Sequence, residues 1–278
     1  MQFTAISWNL FHGRDFPPDE SLRTWRSRLL RFDERNQTHI QVNRDLSAEF
    51  AQLLAGAEWD VALLQECPPR FATPLARACG AEGHRALTSR NSLGFLRGLL
   101  ARQNPDLMAS GEGGSNLTLV RVPGRLGGIA ERREVEIHAG APERRAMALT
   151  RTASGLCVGN LHASAHRPDL ATADVLLAAR TATEFAAGAP LLFGGDLNLR
   201  PAEQSRAFER LREEFGLEAP TGPRAIDHLL VRGMETVAPP AAWPPERREL
   251  PHEGLALRLS DHAPVEAKFA VAEPVELR

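Results

Sequence analysis

Eight residues have side chains suited to acid, base or metal chemistry, and each lies beside a short apolar run. Asn9 ends AISWN, Glu66 ends DVALLQE, His162 ends LCVGNLH, and Asp196 with Asn198 closes LLFGGDLN. Asp227 opens the core of AIDHLLV, and Asp261 with His262 immediately precedes APVEAKF. Glu66, Asp261 and Asn9 offer hard oxygen donors, the set that suits Mg²⁺ or Mn²⁺ rather than Zn²⁺. Asp196 and Asn198 are two apart, so an extended backbone would point both the same way, one to polarise a water and the other to hold a substrate oxygen. His162 and His262 titrate near neutrality and can donate to a phosphate or take its protons. Asp227 would fix the tautomer of one of them. A hard metal, an oriented water and imidazoles together describe metal-assisted hydrolysis at phosphorus.

These residues need elements that converge. Apolar runs with strand character span Phe3–Asn9, Asp60–Glu66, Asn116–Val122, Arg133–His138, Ala146–Arg151, Leu156–His162, Leu191–Asp196, Ile226–Val231 and Pro264–Val271. Helical periodicity covers residues 45–55 and 169–187, and a third helix is expected from about Pro201 to Phe215. Residues 115–163 have hairpin spacing without a helix. Residues 103–115 and 236–254 read as long loops, and the run APPAAWPP at 238–245 lacks the amide donors of regular structure. Five of the eight residues stand at strand ends and three at strand starts. Strands that run antiparallel to the first group bring all eight to one edge, which requires a mixed sheet with helices outside.

Composition narrows the partners. The chain has 278 residues, a net charge of −2, 43% hydrophobic and 24% charged residues, an ordinary globular balance that does not favour a polyanionic partner over others. Arginine supplies nearly all the positive charge, Lys268 being the one lysine, and there is no tyrosine. Three cysteines, Cys67, Cys79 and Cys157, without C-x-x-C spacing suit a reducing compartment and argue against a disulfide framework or a thiolate zinc site. The N-terminus is strand-like rather than a signal peptide, and no apolar run approaches bilayer length. A soluble, cytoplasmic protein with one domain over 1–278, monomeric by default, is expected.

In order, SWNL, LLQE, NLHAS, GGDLN, AIDHLL and LSDHAPV resemble the motifs of the endonuclease/exonuclease/phosphatase superfamily, the deoxyribonuclease-I-like group. The match runs from residue 7 to 265. The resemblance implies an α/β fold, a four-layer sandwich of two packed mixed β-sheets with helices on the outer faces. It implies a phosphoric ester hydrolase that uses Mg²⁺ or Mn²⁺ at Glu66, with Asn9 and Asp261 nearby. Asp196 would orient or deprotonate the attacking water, Asn198 would hold the phosphate, and His162 would stabilise the transition state. His262, paired with Asp227, would be a base or a phosphate ligand. The missing tyrosine argues against the abasic-endonuclease branch. Gly114-Ser115-Asn116 loosely resembles a further family segment, which adds Asn116 as a candidate substrate-binding residue.

Residues 13–44 follow Asn9 directly and look like an insertion at the rim. Pro17–Glu20 resembles a helix start, and Leu22–Arg31 carries Arg23, Arg26, Arg28 and Arg31 without an acid. Such a helix could hold a second phosphate of the substrate. Other signals fall away. His162 and His166 lack the glutamate of H-E-x-x-H, there is no G-x-S-x-G or P-loop, and the remaining histidines, His12 among them, default to surface or packing roles. The expected activity is hydrolysis of a phosphodiester, with DNA or RNA as the first substrate. A phosphomonoester or a lipid headgroup is the alternative, and a non-catalytic binding module that kept the fold is the third reading.

Overall fold

The structure is a computed structural model that describes residues 1–88, 94–140 and 143–271. Along the chain, β1 (Gln2–Asn9) leads through two 3₁₀ turns to α1 (Trp25–Leu30), then to short strands β2 (Glu34–Arg35) and β3 (His39–Gln41). Next come α2 (Ser47–Gly56), β4 (Val61–Cys67), α3 (Ala72–Ala78), β5 (Ala81–Leu87), α4 (Gly94–Gln103) and α5 (Pro105–Glu112). The run of β6 (Ser115–Arg121), β7 (Ile129–His138), β8 (Arg145–Thr152) and β9 (Cys157–His162) has no helix within it, as its hairpin spacing predicts. After it follow α6 (Pro168–Ala186), β10 (Leu191–Asp196), α7 (Ser205–Phe215), β11 (Asp227–Arg232), β12 (Glu235–Ala242), β13 (Glu249–His252), β14 (Leu255–Arg258) and β15 (Val265–Ala270).

Two mixed sheets form the body. One has the order β12-β15-β1-β4-β6-β5 and the other β11-β10-β9-β8-β7, with a small third sheet β13-β14-β3-β2 at the side. Strand alternation sorts the apolar residues into layers. Phe3, Ala5, Val61, Leu63 and Phe269 of the first sheet meet Val158, Leu192, Leu229 and Val231 of the second in one buried cluster between them. Ile6, Trp8, Ala62 and Leu64 face the opposite way and pack on Phe50 and Leu54 of α2 and Leu75 of α3. Leu161, Leu191 and Phe193 pack outward on Val175, Ala178 and Ala182 of α6 and Leu211 of α7. Helix, sheet, sheet and helix make the four layers. Each fully buried Leu or Phe contributes roughly 1.5–3 kcal/mol, so the three clusters hold most of the apolar stabilisation.

Several local expectations are corrected. Residues 103–115 are not a loop: Asn104 caps α5 by accepting a hydrogen bond from Leu107 N, with Pro105 in its first turn. APPAAWPP is not wholly irregular, since β12 lies at a sheet edge and its register shifts between Ala238 and Ala241, so Pro239 and Pro240 fall in a bulge. The segment 249–258 folds as the hairpin β13-β14. Helix α7 begins at Ser205 rather than near Pro201, which lies in a turn. The expected helix over 22–31 is shorter. Thr24 caps it through Ser27 N, which leaves Arg23 outside, and Arg31 ends it in the left-handed conformation. The three cysteines are buried and unbridged. No helix among the described residues is long and apolar enough to cross a membrane.

Candidate active site

Register brings the motif residues together. β10 pairs in parallel with β9, setting Asp196 opposite His162, and antiparallel with β11, setting Asp196 opposite Asp227. In the other sheet β1 runs parallel to β4 and antiparallel to β15, so Asn9, Glu66 and the Ser260–His262 segment reach the same end. Asn9 shares the parity of Phe3 and Ala5, His162 that of Val158, Asp196 that of Leu192, and Asp227 that of Leu229. All four therefore point into the space between the sheets, where those apolar residues form the core.

Glu66 reaches the same space by a different device. Its even parity would turn it outward with Leu64, but its φ is 45° and the β4–β6 register shifts between Leu64 and Cys67. This bulge re-aims the carboxylate. Two hydrogen bonds pin the Ser260–His262 segment to the end of β1, and a third closes the segment on itself. Ser260 Oγ donates to Asn9 O at 2.6 Å, His262 N donates to Ser260 Oγ at 3.1 Å, and Trp8 Nε1 donates to His262 O at 3.0 Å.

At the centre, His262 Nδ1 lies 2.8 Å from Asp227 Oδ2, and its Nε2 is 3.9 Å from both Asp196 and Asp261. Asn9 Nδ2 donates to Asp196 Oδ2 at 3.0 Å, while Asn9 Oδ1 accepts from Phe11 N. His162 Nε2 is 3.4 Å from Asp196 Oδ2 and its Nδ1 3.9 Å from Glu66 Oε1. Asn198 is not extended but left-handed, with φ 52°, contrary to the expectation of parallel side chains. Its amide nitrogen binds Asp196 Oδ1 and its side chain donates to Ala163 O. Asn116 is buried between the sheets and donates to Ala146 O at 2.7 Å. The arginines of residues 23–31 do not join the cluster. Arg23 pairs with Glu20 and stacks on Phe16, and Arg26 lies over Phe32.

Electrostatics separate the groups. Burial, then the neighbouring Arg145, lowers His162 to about 3, so its imidazole is neutral at pH 7. Burial also disfavours charge on His262, but the Asp227 carboxylate outweighs it and raises this imidazole to about 10. Burial, then Asp227, raises Asp196 to about 7. Asp261 is raised by burial and by Glu66, its neighbouring carboxylate. Glu66 is lowered, because His12, His162 and the Asn9 amide together outweigh its burial.

Asp196, Asp227 and His262 can bring one ligand atom each within 4.8 Å of one another. A cation fits Glu66 and Asp261 better, since His262 already engages Asp227 and is positively charged at neutral pH, which repels a cation. The crowding that raises Asp261 is the kind a divalent cation relieves.

The sequence matches the family model described as the endonuclease/exonuclease/phosphatase family over residues 6–262. The chain belongs to this family. Among solved structures it is similar to an endonuclease/exonuclease/phosphatase family protein from Bacteroides thetaiotaomicron, at 14% identity and TM-score 0.66, covering 98% of this chain and 99% of that one. A mannosyl-6-phosphatase from the same species is 15% identical, with TM-score 0.62 and coverage of 96% and 99%. The catalytic domain of human Nocturnin is 12% identical, with TM-score 0.61 and coverage of 98% and 94%. At these identities the likeness is one of fold. No curated protein matches the sequence.

Residues that the sequence reading did not single out also line or support the candidate site of this endonuclease/exonuclease/phosphatase family member. His12, read as a surface or packing residue, places Nε2 3.2 Å from Glu66 Oε2 from a turn in which Phe11, His12 and Gly13 all have positive φ. Arg14 stacks on Phe11 at 3.6 Å and lies near enough to Glu66 and Asp261 to feel their charge. Gln65 donates to Asn160 Oδ1 at 2.8 Å and tethers the sheets beneath the cluster. Parity along LLQE and GNLH was the available signal for that pair. None existed for His12 and Arg14, which depend on a loop conformation.

Proposed function

We propose that the chain is a divalent-metal-dependent phosphoesterase that cleaves phosphodiester bonds by attack of water. The observation that carries this reading is Asp196 lying between a charged imidazole and a neutral one, with Glu66 3.9 Å from His162 and Asp261 3.9 Å from His262. Family membership and the hydrolase neighbours support it. Glu66 and Asp261, with the free lone pair of Asn9 Oδ1, would hold one Mg²⁺ or Mn²⁺, which when bound would polarise the phosphoryl group and offset its negative charge.

The remaining steps belong to side chains. Asp196, near 7, is the group poised to take the proton of the attacking water. His262, held as an imidazolium by Asp227, binds a non-bridging phosphate oxygen rather than serving as the base. His162, neutral, donates one hydrogen bond to the charge that develops, and Asn198 fixes the Asp196 loop through its backbone amide.

The test is hydrolysis of bis-p-nitrophenyl phosphate, DNA, RNA and inositol phosphates with Mg²⁺ or Mn²⁺. Glu66→Gln is expected to lower turnover on the order of a hundredfold or more without changing the melting temperature, because the cation supplies several kcal/mol of transition-state stabilisation. Full activity in excess EDTA would overturn the reading. Turnover of DNA or RNA well above that of the small diester would mark a nuclease.

A further inference from the structure

Most of the large apolar side chains that the described residues leave exposed gather in one region. Trp25 is 65% exposed, Leu29 55%, Leu30 54% and Phe32 51%, all within or just after α1, and Leu99, Leu100 and Leu107 of α4 and α5 are also exposed. These helices are joined. Asn104, at the α4–α5 junction, donates to Arg28 O at 2.9 Å, and Asn43 bridges the same carbonyl and the Asn104 side chain. Leu100 lies one turn before Asn104 and Leu107 about one turn after, so the leucines of α4 and α5 flank the end of α1. A monomer rarely leaves so many large apolar groups together in water.

The charge on α1 and α4 has one sign, while α5 adds Glu112 and Asp106, whose carboxylate accepts from Gln41 Nε2 at 2.9 Å, and Asp33 and Glu34 follow Phe32. Residues 22–32 and 94–103 contain arginines and no carboxylate. No ion pair of Arg26, Arg28 or Arg31 occurs among the described residues. The surface adjoins the candidate active site through a cavity of about 280 Å³, lined by Phe11 and Arg14 on one side and Arg23 and Arg28 on the other, with Asp15 and Asp106 also in its wall.

We propose that α1, Phe32, α4 and α5 form a docking surface for an anionic lipid layer. Leucines, a tryptophan and a phenylalanine interleaved with arginines match what an interfacial surface needs: apolar groups for the acyl boundary and cations for acidic headgroups. Nucleic acid is disfavoured, since it uses arginines and stacking aromatics but gains little from Leu29, Leu30, Leu99 and Leu100. A second copy of the chain is disfavoured too, because α1 and α4 carry arginines and no acid, so a two-fold contact would set mostly arginine against arginine, with only Asp106 and Glu112 of α5 to offset it. This surface does not depend on the hydrolase reading.

Trp25 makes a direct probe, as the other three tryptophans, Trp8, Trp59 and Trp243, are buried. Addition of vesicles of phosphatidylcholine and phosphatidylglycerol in about equal parts is expected to shift the intrinsic emission to the blue. Phosphatidylcholine alone should not, and Trp25→Phe should abolish the shift. In co-sedimentation, Leu29→Ser/Leu30→Ser and Arg26→Gln/Arg28→Gln/Arg31→Gln should each lower partitioning about tenfold or more. The leucine variant should keep wild-type hydrolysis of bis-p-nitrophenyl phosphate and an unchanged melting temperature. Wild-type protein that leaves both vesicle types unbound at low salt overturns the proposal, whatever its activity. So does a wild-type dimer that the leucine variant dissociates, or binding of DNA or RNA that the arginine variant loses while vesicle binding persists. An inactive protein that still binds the vesicles counts against the hydrolase reading alone.

Discussion

Asp227 acts on two neighbours in the same direction. Its carboxylate holds the proton on His262 and, behind burial, raises Asp196. In the proposed mechanism kcat/KM falls on the acid side as Asp196 takes a proton, near pH 7, and on the alkaline side as His262 loses one, near pH 10. Asp227→Asn removes the charge behind both shifts, so both limbs should move to lower pH. His262→Ala alone should cost on the order of 10²–10⁴ in rate, and adding Asp227→Asn should cost little more above the acid limb, where Asp196 is already ionised and the carboxylate works through the imidazole. Limbs that stay in place, or losses that multiply, would separate the two residues.

At the scale of elements, the glycines before Asp196 show how strands set a side chain. Gly195 has φ 127°, and a Cβ there would lie 1.9 Å from Leu161 O of β9; one on Gly194 would lie 2.2 Å from His228 O of β11. β9 and β11 close on β10 from both sides, and only a residue without Cβ allows it. Gly195→Ala should therefore destabilise the fold by about 3 kcal/mol, by overpacking against backbone that cannot give way. It should also reduce activity beyond what stability explains, since β9 and β11 carry His162 and Asp227. Urea unfolding with kinetics on the folded fraction checks both. The Glu66 bulge and the Gly195 close approach are alike in this respect: each spends local regularity to aim one carboxylate into the space between the sheets.

Across the whole molecule, polar groups between the sheets fix how they sit on each other. Besides Gln65 and Asn160, His84 of β5 bonds Thr150 of β8 at 2.8 Å in a buried setting. Burial, then the nearby Arg132, lowers His84 to about 4. Above pH 6.5 neither the folded nor the unfolded chain protonates it, and its contribution to stability is whole. As pH falls from about 6.5 towards 4 the unfolded chain binds a proton that the fold refuses, so stability is lost at up to about 1.4 kcal/mol per pH unit. His84→Gln should lack this loss. The stability of wild type minus variant, from urea melts between pH 7 and 4, should shrink as pH falls, and a constant difference would mean that His84 is protonated freely in the fold.

How much of this was written in the chain follows from the range of each interaction. β1, β4, β6 and β8 to β11 announce themselves by alternation, and α2 and α6 by helical period, because these patterns are local and strong. Strand ends and starts then placed Asn9, Glu66, His162, Asp196, Asp227, Asp261 and His262 at one edge of the sheets. The proline-bearing strand β12 and the capped helix α5 were hidden, since a sheet edge tolerates Pro239 and Pro240 only once β15 is beside it, and Asn104 caps only where the chain turns. The left-handed backbone at Glu66 and Asn198, the approach of His12 to Glu66, and the split between a neutral His162 and a charged His262 were decided by tertiary structure alone. Each depends on burial and on charges distant in sequence, and two imidazoles from different motifs, alike in chemistry, titrate near 3 and near 10 according to which carboxylate or guanidinium the packing sets beside each.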